Sequence, residues 1–227
     1  MDLSDALRST GAVRDFTSEP VDDAELFAIL DDARFAPSGG NRQSWHVIVV
    51  KDERQRQAIG AAYLDAWHDY VGHLLAGVIP FSPLASEADR LAAAGQRGAA
   101  EKLTKPDAFA ENFAHVPVML VVGADLGVLA AIDRDLDRYQ VVGGASIYPF
   151  VWSILLAARE RGIGGVITTM AVRNEPELKE ILDLPENYAV AAIVALGHHE
   201  NRLTKLKRRT VTEFTTVDRF EGPSFNA

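Results

Sequence analysis

Ala36-Pro37-Ser38-Gly39-Gly40-Asn41-Arg42-Gln43-Ser44-Trp45 lies between a run of helical periodicity, Asp23 to Phe35, and an apolar, strand-like run, His46-Val47-Ile48-Val49-Val50. It is therefore a helix-to-strand loop built almost entirely of small and amide-bearing residues. Pro37 cannot continue a helix, Gly39 and Gly40 admit positive φ and close backbone approach, and the Asn41 and Gln43 carboxamides each offer donors and an acceptor. Two readings fit. One is a helix stop followed by a turn, the usual work of such residues; the other is a polar edge set against a flat ligand whose rim alternates donors and acceptors.

On the N-terminal side, Asp22 or Asp23 caps a helix whose Leu26, Phe27, Ile29, Leu30, Ala33 and Phe35 recur at the 3.6-residue period, which predicts a face packed on a core. On the C-terminal side, the Trp45 to Lys51 run is apolar rather than alternating and predicts a strand covered on both faces. Upstream, Leu3 to Ser9 reads as a short helix running into Arg8-Ser9-Thr10-Gly11-Ala12-Val13-Arg14-Asp15-Phe16. Its arginines, hydroxyls and glycine make either a solvated turn or an anion-binding one.

Further along, Asp52 begins a helix reaching to about Ala76, on which His68 and His73 are five apart and off a common face, against a metal pair. The region from 77 to about 110 is broken by Pro80 and Pro83, then alanine-rich and helical from Ser86 to Leu103. It reads equally as helical filler or as a lid or partner-contacting excursion. Val116 to Val122 is a second strand, and Asp125 to Tyr139 is helical in parts with a solvated Asp- and Arg-rich face. The most hydrophobic helix follows Val141-Val142-Gly143-Gly144-Ala145-Ser146; Pro149 marks a kink or its first turn, and Arg161-Gly162 ends it. Ile163-Gly164-Gly165-Val166-Ile167-Thr168-Thr169-Met170 is an extended run with glycines and hydroxyls, a second candidate for contact with a planar ligand. Glu175 to Leu182 predicts a short helix and Tyr188 to Leu196 an apolar strand, after which the adjacent His198 and His199 point apart and make no metal pair. The tail, about 200–227, opens with the basic Lys205-Leu206-Lys207-Arg208-Arg209-Thr210 and continues with Val211, Phe214, Val217 and Phe220, spaced to lay an extended arm across another surface.

At 227 residues, 48% hydrophobic and 24% charged, the chain suits one globular domain spanning 1–227. A net charge of −9 opposes a nucleic-acid footprint. The absence of cysteine excludes disulfides, thiolate catalysis and Cys-ligated metal, and it fits a reducing, cytoplasmic setting. Met1-Asp2-Leu3-Ser4-Asp5 lacks the features of a signal peptide, and no apolar run approaches the roughly 20 residues of a membrane span, so no membrane role is expected.

Taken together, the run ending Arg14-Asp15-Phe16, the Ala33 to Trp45 stretch, the Gly162-Ile163-Gly164 turn and the basic Lys207-Arg208-Arg209 resemble the nitroreductase-like flavoprotein family in order and spacing over nearly the full chain. The chain is most similar to actinobacterial-type members with a Gly-Gly-Ala-Ser-Ile-Tyr-Pro helix and a Gly-Gly-Val-Ile-Thr-Thr loop. The resemblance implies an α+β fold, an α-β-α sandwich with a central, mainly antiparallel sheet, forming an intertwined homodimer with FMN at the subunit interface. By position it assigns Arg14 to the flavin and to stabilising its reduced form. Pro37, Ser38, Gly39 and Asn41 fall on a loop serving the partner's flavin, Thr168 and Thr169 beside the ring, and Lys207 and Arg209 at the phosphate. Arg8 and Ser9 join the phosphate end, where Thr10 or Gly11 stands in place of the family's usual arginine and Ala12 in place of a frequent serine.

The activity so implied is FMN-dependent and ping-pong: NADH or NADPH reduces the flavin, then a nitroaromatic, quinone or similar electron-poor acceptor takes its place. Catalysis needs no residue beyond the flavin and no metal. Two rival readings remain, a flavin-storing or flavin-sensing protein with a covered ring and a specialised member such as a reductive dehalogenase.

Overall fold

The computed structural model describes residues 1–103, 108–199, 201 and 206–226; Lys205 of the basic tail lies outside them. Four strands, β1 (Trp45–Val49), β2 (Val118–Asp125), β3 (Gly164–Thr168) and β4 (Tyr188–Gly197), form one antiparallel sheet in the order β1-β2-β4-β3. The helices are α1 (Leu3–Ser9), α2 (Asp23–Ala33), α3 (Glu53–Leu75), α4 (Glu87–Gly95), α5 (Arg97–Ala100), α6 (Ala108–Glu111), α7 (Tyr148–Glu160) and α8 (Glu175–Leu182).

Alternation along the two central strands builds the layers. Leu120, Val122, Val194 and Leu196 face α2 and α7, packing on Leu26, Ile29, Val151 and Ile154. Met119, Val121, Ile193 and Ala195 face the other way, against Ile59 and Tyr63 of α3, Phe113, and Leu178 of α8. The result is the α-β-α sandwich that the resemblance implies. Local signals set the helix ends: Asp52 accepts from Gln55 N, Ser86 and Asp89 form a reciprocal capping box, and Pro149 stands in the first turn of α7. Gly162, at φ +79°, supplies the left-handed residue that ends α7.

Several expectations need correction. β1 is an edge strand with His46 exposed, so its apolar run marks a half-covered edge. Phe27 and Phe35 are each 73% exposed, so only part of the apolar face of α2 meets the core. The Asp125 to Tyr139 stretch is not helical. Asp125 closes β2, and the segment from 126 to 141 is a series of turns around Asp133, whose Oδ2 accepts from Val141 N (2.8 Å), Val142 N (3.2 Å) and Arg138 Nη1 (2.8 Å). That carboxyl lies below its ordinary value, first through the Val141 amide and against the opposing effect of burial. Its many charges read as a solvated helix face, whereas one buried carboxylate organises the loop.

α3 begins where β1 ends. Arg56 on its first turns donates to the carbonyls of Val50 and Ala114 (3.0 Å each) and of Val116, tying β1, α3 and the entry to β2 together. Burial lowers the Arg56 pKa, partly offset by Glu53, but it remains a cation. Arg56→Met keeps the bulk of the stem and strands three carbonyls. The expected loss is about 3 kcal/mol of unfolding free energy, read as a lower urea midpoint, and a midpoint equal to that of the unsubstituted protein would remove this role.

Candidate functional site

The sheet register decides which polar loops can meet. Trp45, at the start of β1, is level with Ala124 and through it with Ala189, near the start of β4. Thr168, closing β3 on the far edge, is level with Ile193, and Gly164 with Gly197. From Trp45 to Thr168 is three strand spacings, roughly 14 Å, and four residues along the strands, roughly 13 Å.

The Pro37–Asn41 loop lies beyond the Trp45 end. Gly39 N donates to the buried Ser146 Oγ (3.0 Å), tying the loop to the entry of α7, and Gln43 N donates to Ser38 Oγ (2.9 Å). A Cβ on Gly39 would stand 3.3 Å from that Ser146 oxygen, so the glycine permits this approach. The left-handed φ falls instead on Gly40 (60°), Asn41 (51°) and Gln43 (47°). With the Gly39 N–H donated internally and the Asn41 N–H given to Ser38 O (2.9 Å), the Ser38 hydroxyl hydrogen and the Asn41 Nδ2 are left without a partner among the described residues. Asn41 Oδ1 accepts from Gln43 Nε2 (3.3 Å).

The N-terminal run crosses the other end of the sheet. Ala12 bridges Gly165 in parallel, Val13 N donates to Gly165 O (2.9 Å), and Thr17 N donates to His198 O (2.8 Å). Gly197 permits the crossing, since a Cβ there would meet Phe16 at 2.9 Å and Pro117 at 2.7 Å. Arg14 lies exposed beside a cleft shared with Phe109 and His115, and neither it nor Arg8 makes an ion pair among the described residues. Ser9 Oγ donates to Asp5 O (2.6 Å) and accepts from Arg159 Nε (3.3 Å). Arg159 was missed in the sequence because it sits in what reads as an ordinary basic last turn. It is only 6% exposed and lies against Ser9, Thr10, Gly11 and His199, bringing a buried cation to the turn that follows α1.

One protomer therefore separates the predicted site residues. Arg8, Ser9 and Arg14 gather at the Gly164 end, Thr168 and Thr169 lie where β3 turns toward α3, and Pro37, Ser38, Gly39 and Asn41 lie past the opposite end. Lys207 and Arg209 are exposed on the C-terminal arm, with Arg209 over Phe214 (5.9 Å). Among the described residues the backbone bonds of 210–225 run within the arm, as in Val217 N to Pro223 O (2.9 Å), and Phe214, Phe220 and Phe225 are 56%, 90% and 54% exposed. No group of three or more His, Asp or Glu able to hold a metal is present among the described residues.

Residues 7–198 match the Nitroreductase family model. The chain belongs to the nitroreductase family. It is 27% identical over 224 residues to the nitrobenzene nitroreductase of Ectopseudomonas oleovorans, covering 94% of this chain and 96% of that enzyme. A nitroreductase with bound FMN from Desulfitobacterium hafniense DCB-2 superposes with TM-score 0.58 at 25% identity, over 90% of this chain and 92% of that one. An iodotyrosine deiodinase bound to FMN and 3-iodo-L-tyrosine shares the fold, with TM-score 0.66 at 19% identity over 96% and 100% of the two chains.

The donor set of this nitroreductase-family chain fits FMN. Arg14 and the exposed Lys207 suit a phosphate or an anionic ring. The Ser38 and Thr169 hydroxyls and the Asn41 amide suit a rim of alternating donors and acceptors.

The excursion after α3 docks beside the Thr169 turn through Arg97, which pairs with Asp65 and Asp69 (2.5 Å each) and Glu101 (3.0 Å). Burial pushes the Asp65 carboxyl up, but hydrogen bonds from Asn174 and Arg97 and the charges of Arg97 and His68 hold it below its ordinary 3.8. A depressed carboxyl stabilises the fold above its unfolded value and loses that contribution as pH falls through the folded one. Stability should therefore drop as pH falls below 3.8, and less steeply in Arg97→Gln. Parallel pH profiles of the urea midpoint for the two proteins would contradict this.

Proposed function

We propose that this chain is an FMN-dependent NAD(P)H oxidoreductase of the actinobacterial type, one domain over its whole length, acting as an intertwined homodimer on nitroaromatic, quinone or similar electron-poor acceptors. The observation that carries the reading is the separation of the site residues. A planar ring beside Thr168 and Thr169 is out of reach of Ser38 and Asn41 of the same protomer, so a complete site takes that loop from a second copy. The exposed Phe27 and Phe35 and the C-terminal arm, with its exposed phenylalanines, supply apolar surface for that copy to cover.

FMN, when bound, carries the hydride from nicotinamide to acceptor. The chain holds and polarises. Arg14 sets a cation near the ring, favouring the charge that accumulates on reduction. Lys207 and Arg209 from the arm, with Arg8, Ser9 and the buried Arg159, gather positive charge for the phosphate, making up for Thr10 and Gly11. Ser38, Asn41, Thr168 and Thr169 hold the ring edge. For a nitroarene the overall reaction balances as nitroarene, NAD(P)H and one proton giving nitrosoarene, NAD(P)+ and water, with that proton drawn from solvent. A supply of reduced nicotinamide places the reaction in the cytoplasm.

The purified protein should be yellow, bleach anaerobically on addition of NADH or NADPH, and regain its colour with nitrobenzene or a quinone. A yellow protein that stays oxidised with both reductants would overturn the assignment.

A further inference from the structure

Outside the residues assigned to FMN, a cleft of about 330 Å³ opens between α3, α4, the turn around Phe81 and the loop carrying Tyr139. That volume is within the range of small-molecule sites. Asp69, His73, Phe81, Arg90, Tyr139 and Arg173 line it. Arg173 stands over the Phe81 ring (5.3 Å) and 3.4 Å from Asp69, a carboxylate that Arg97 already engages at 2.5 Å. The Arg90 side chain is exposed, and its guanidinium makes no ion pair or hydrogen bond among the described residues. In a chain of net charge −9 the cleft is thus a local concentration of guanidinium with little carboxylate left to neutralise it.

Its walls are firmly held. α4, which carries Arg90, lies so close to α3 that a Cβ on Gly72 would stand 2.8 Å from Ala93 O. Phe81 has φ 52°, a left-handed conformation costly for a bulky residue, and its ring is flanked by Arg173 and by His73 at 4.7 Å. His73 Nδ1 lies 2.8 Å from Asp69 O. A carbonyl only accepts, so Nδ1 carries the hydrogen of that bond, which fixes the ring in the wall of the cleft. Arg173 follows Thr169 by four residues of 3-10 turn, roughly 8 Å of rise, so the cleft adjoins the edge assigned to the flavin.

We infer that this cleft selects planar aromatic acceptors that carry an anionic group, with Arg90 and Arg173 binding the carboxylate and Phe81 and Tyr139 lying against the ring. The inference rests on the oxidoreductase reading for its word acceptor, and on the cleft alone for its ligand chemistry. The phosphates of a nicotinamide dinucleotide are also anions, so the test must separate the two.

The probes are 4-nitrobenzoate and its neutral near-isostere 4-nitrobenzamide, titrated calorimetrically into the protein as purified and then used as acceptors. The protein should prefer the carboxylate. Arg90→Gln, a change at an exposed and unpartnered side chain, and Arg173→Gln should each weaken 4-nitrobenzoate roughly tenfold or more, the scale of one lost charge-assisted bond. Binding of 4-nitrobenzamide should stay within about twofold, a change too small for any such bond. Equal binding of the two probes, or a carboxylate preference untouched in Arg90→Gln, overturns the inference. So does a rise in the KM of the nicotinamide with acceptor binding unchanged, which would assign the arginines to the reductant. Selective carboxylate binding by a protein that never oxidises NAD(P)H would sustain the cleft and sink the oxidoreductase reading, whereas turnover without selectivity would do the reverse.

Discussion

The antiparallel pairing of β2 with β4 is the interaction on which the rest of this molecule depends. Both strands are buried along nearly their whole length, and their alternation sends Leu120, Val122, Val194 and Leu196 to one helical layer and Met119, Val121, Ile193 and Ala195 to the other. With these two in the centre, β1 and β3 can only be edges. The loop preceding β1 and the turn following β3 are thereby held at opposite borders of the sheet. That separation is what the proposal of a site shared between two copies rests on.

Much of this was legible in the chain. The Ala33 to Trp45 stretch announces a helix-to-strand loop through Pro37 and paired glycines, and it folds as one. Gly162 ends the central helix, and Pro149 proved to mark its first turn rather than a kink. These signals are local, a φ value or a missing N–H, and need no neighbour to be read. What failed was set by partners distant in sequence. The apolar run of β1 is the same whether a strand is central or at an edge. Phe27 and Phe35 keep the helical period and yet stay largely exposed. Asp133 is indistinguishable from its charged neighbours until the chain folds two amides, Val141 and Val142, onto it. Arg159 was hidden for the same reason: a basic residue in a last helical turn normally faces solvent and the helix dipole, whereas this one is covered by the N-terminal run.

The cleft beside Phe81 belongs to the region least readable in sequence, the excursion after α3. It becomes interpretable because Arg97 fastens α5 to α3 through Asp65 and Asp69 and the close contact at Gly72 fixes α4. Together they bring Arg90, Arg173 and Tyr139, from three separate stretches, to one place. Family membership speaks to the fold. The cleft itself is built by these less regular segments, as expected when a rigid scaffold carries variable loops.

The shared site can be tested by complementation. Two variants are needed, one with the loop disabled, Ser38→Ala with Asn41→Ala, and one with the ring cation removed, Arg14→Ala; each alone should hold FMN weakly. Co-expressed with different tags and purified as the mixed dimer, they place both defects in one site and leave the other whole. A site built from two copies requires one FMN per mixed dimer bound with the affinity of the unsubstituted protein, measured by flavin fluorescence. Mixed dimers that bind no better than either variant would contradict it.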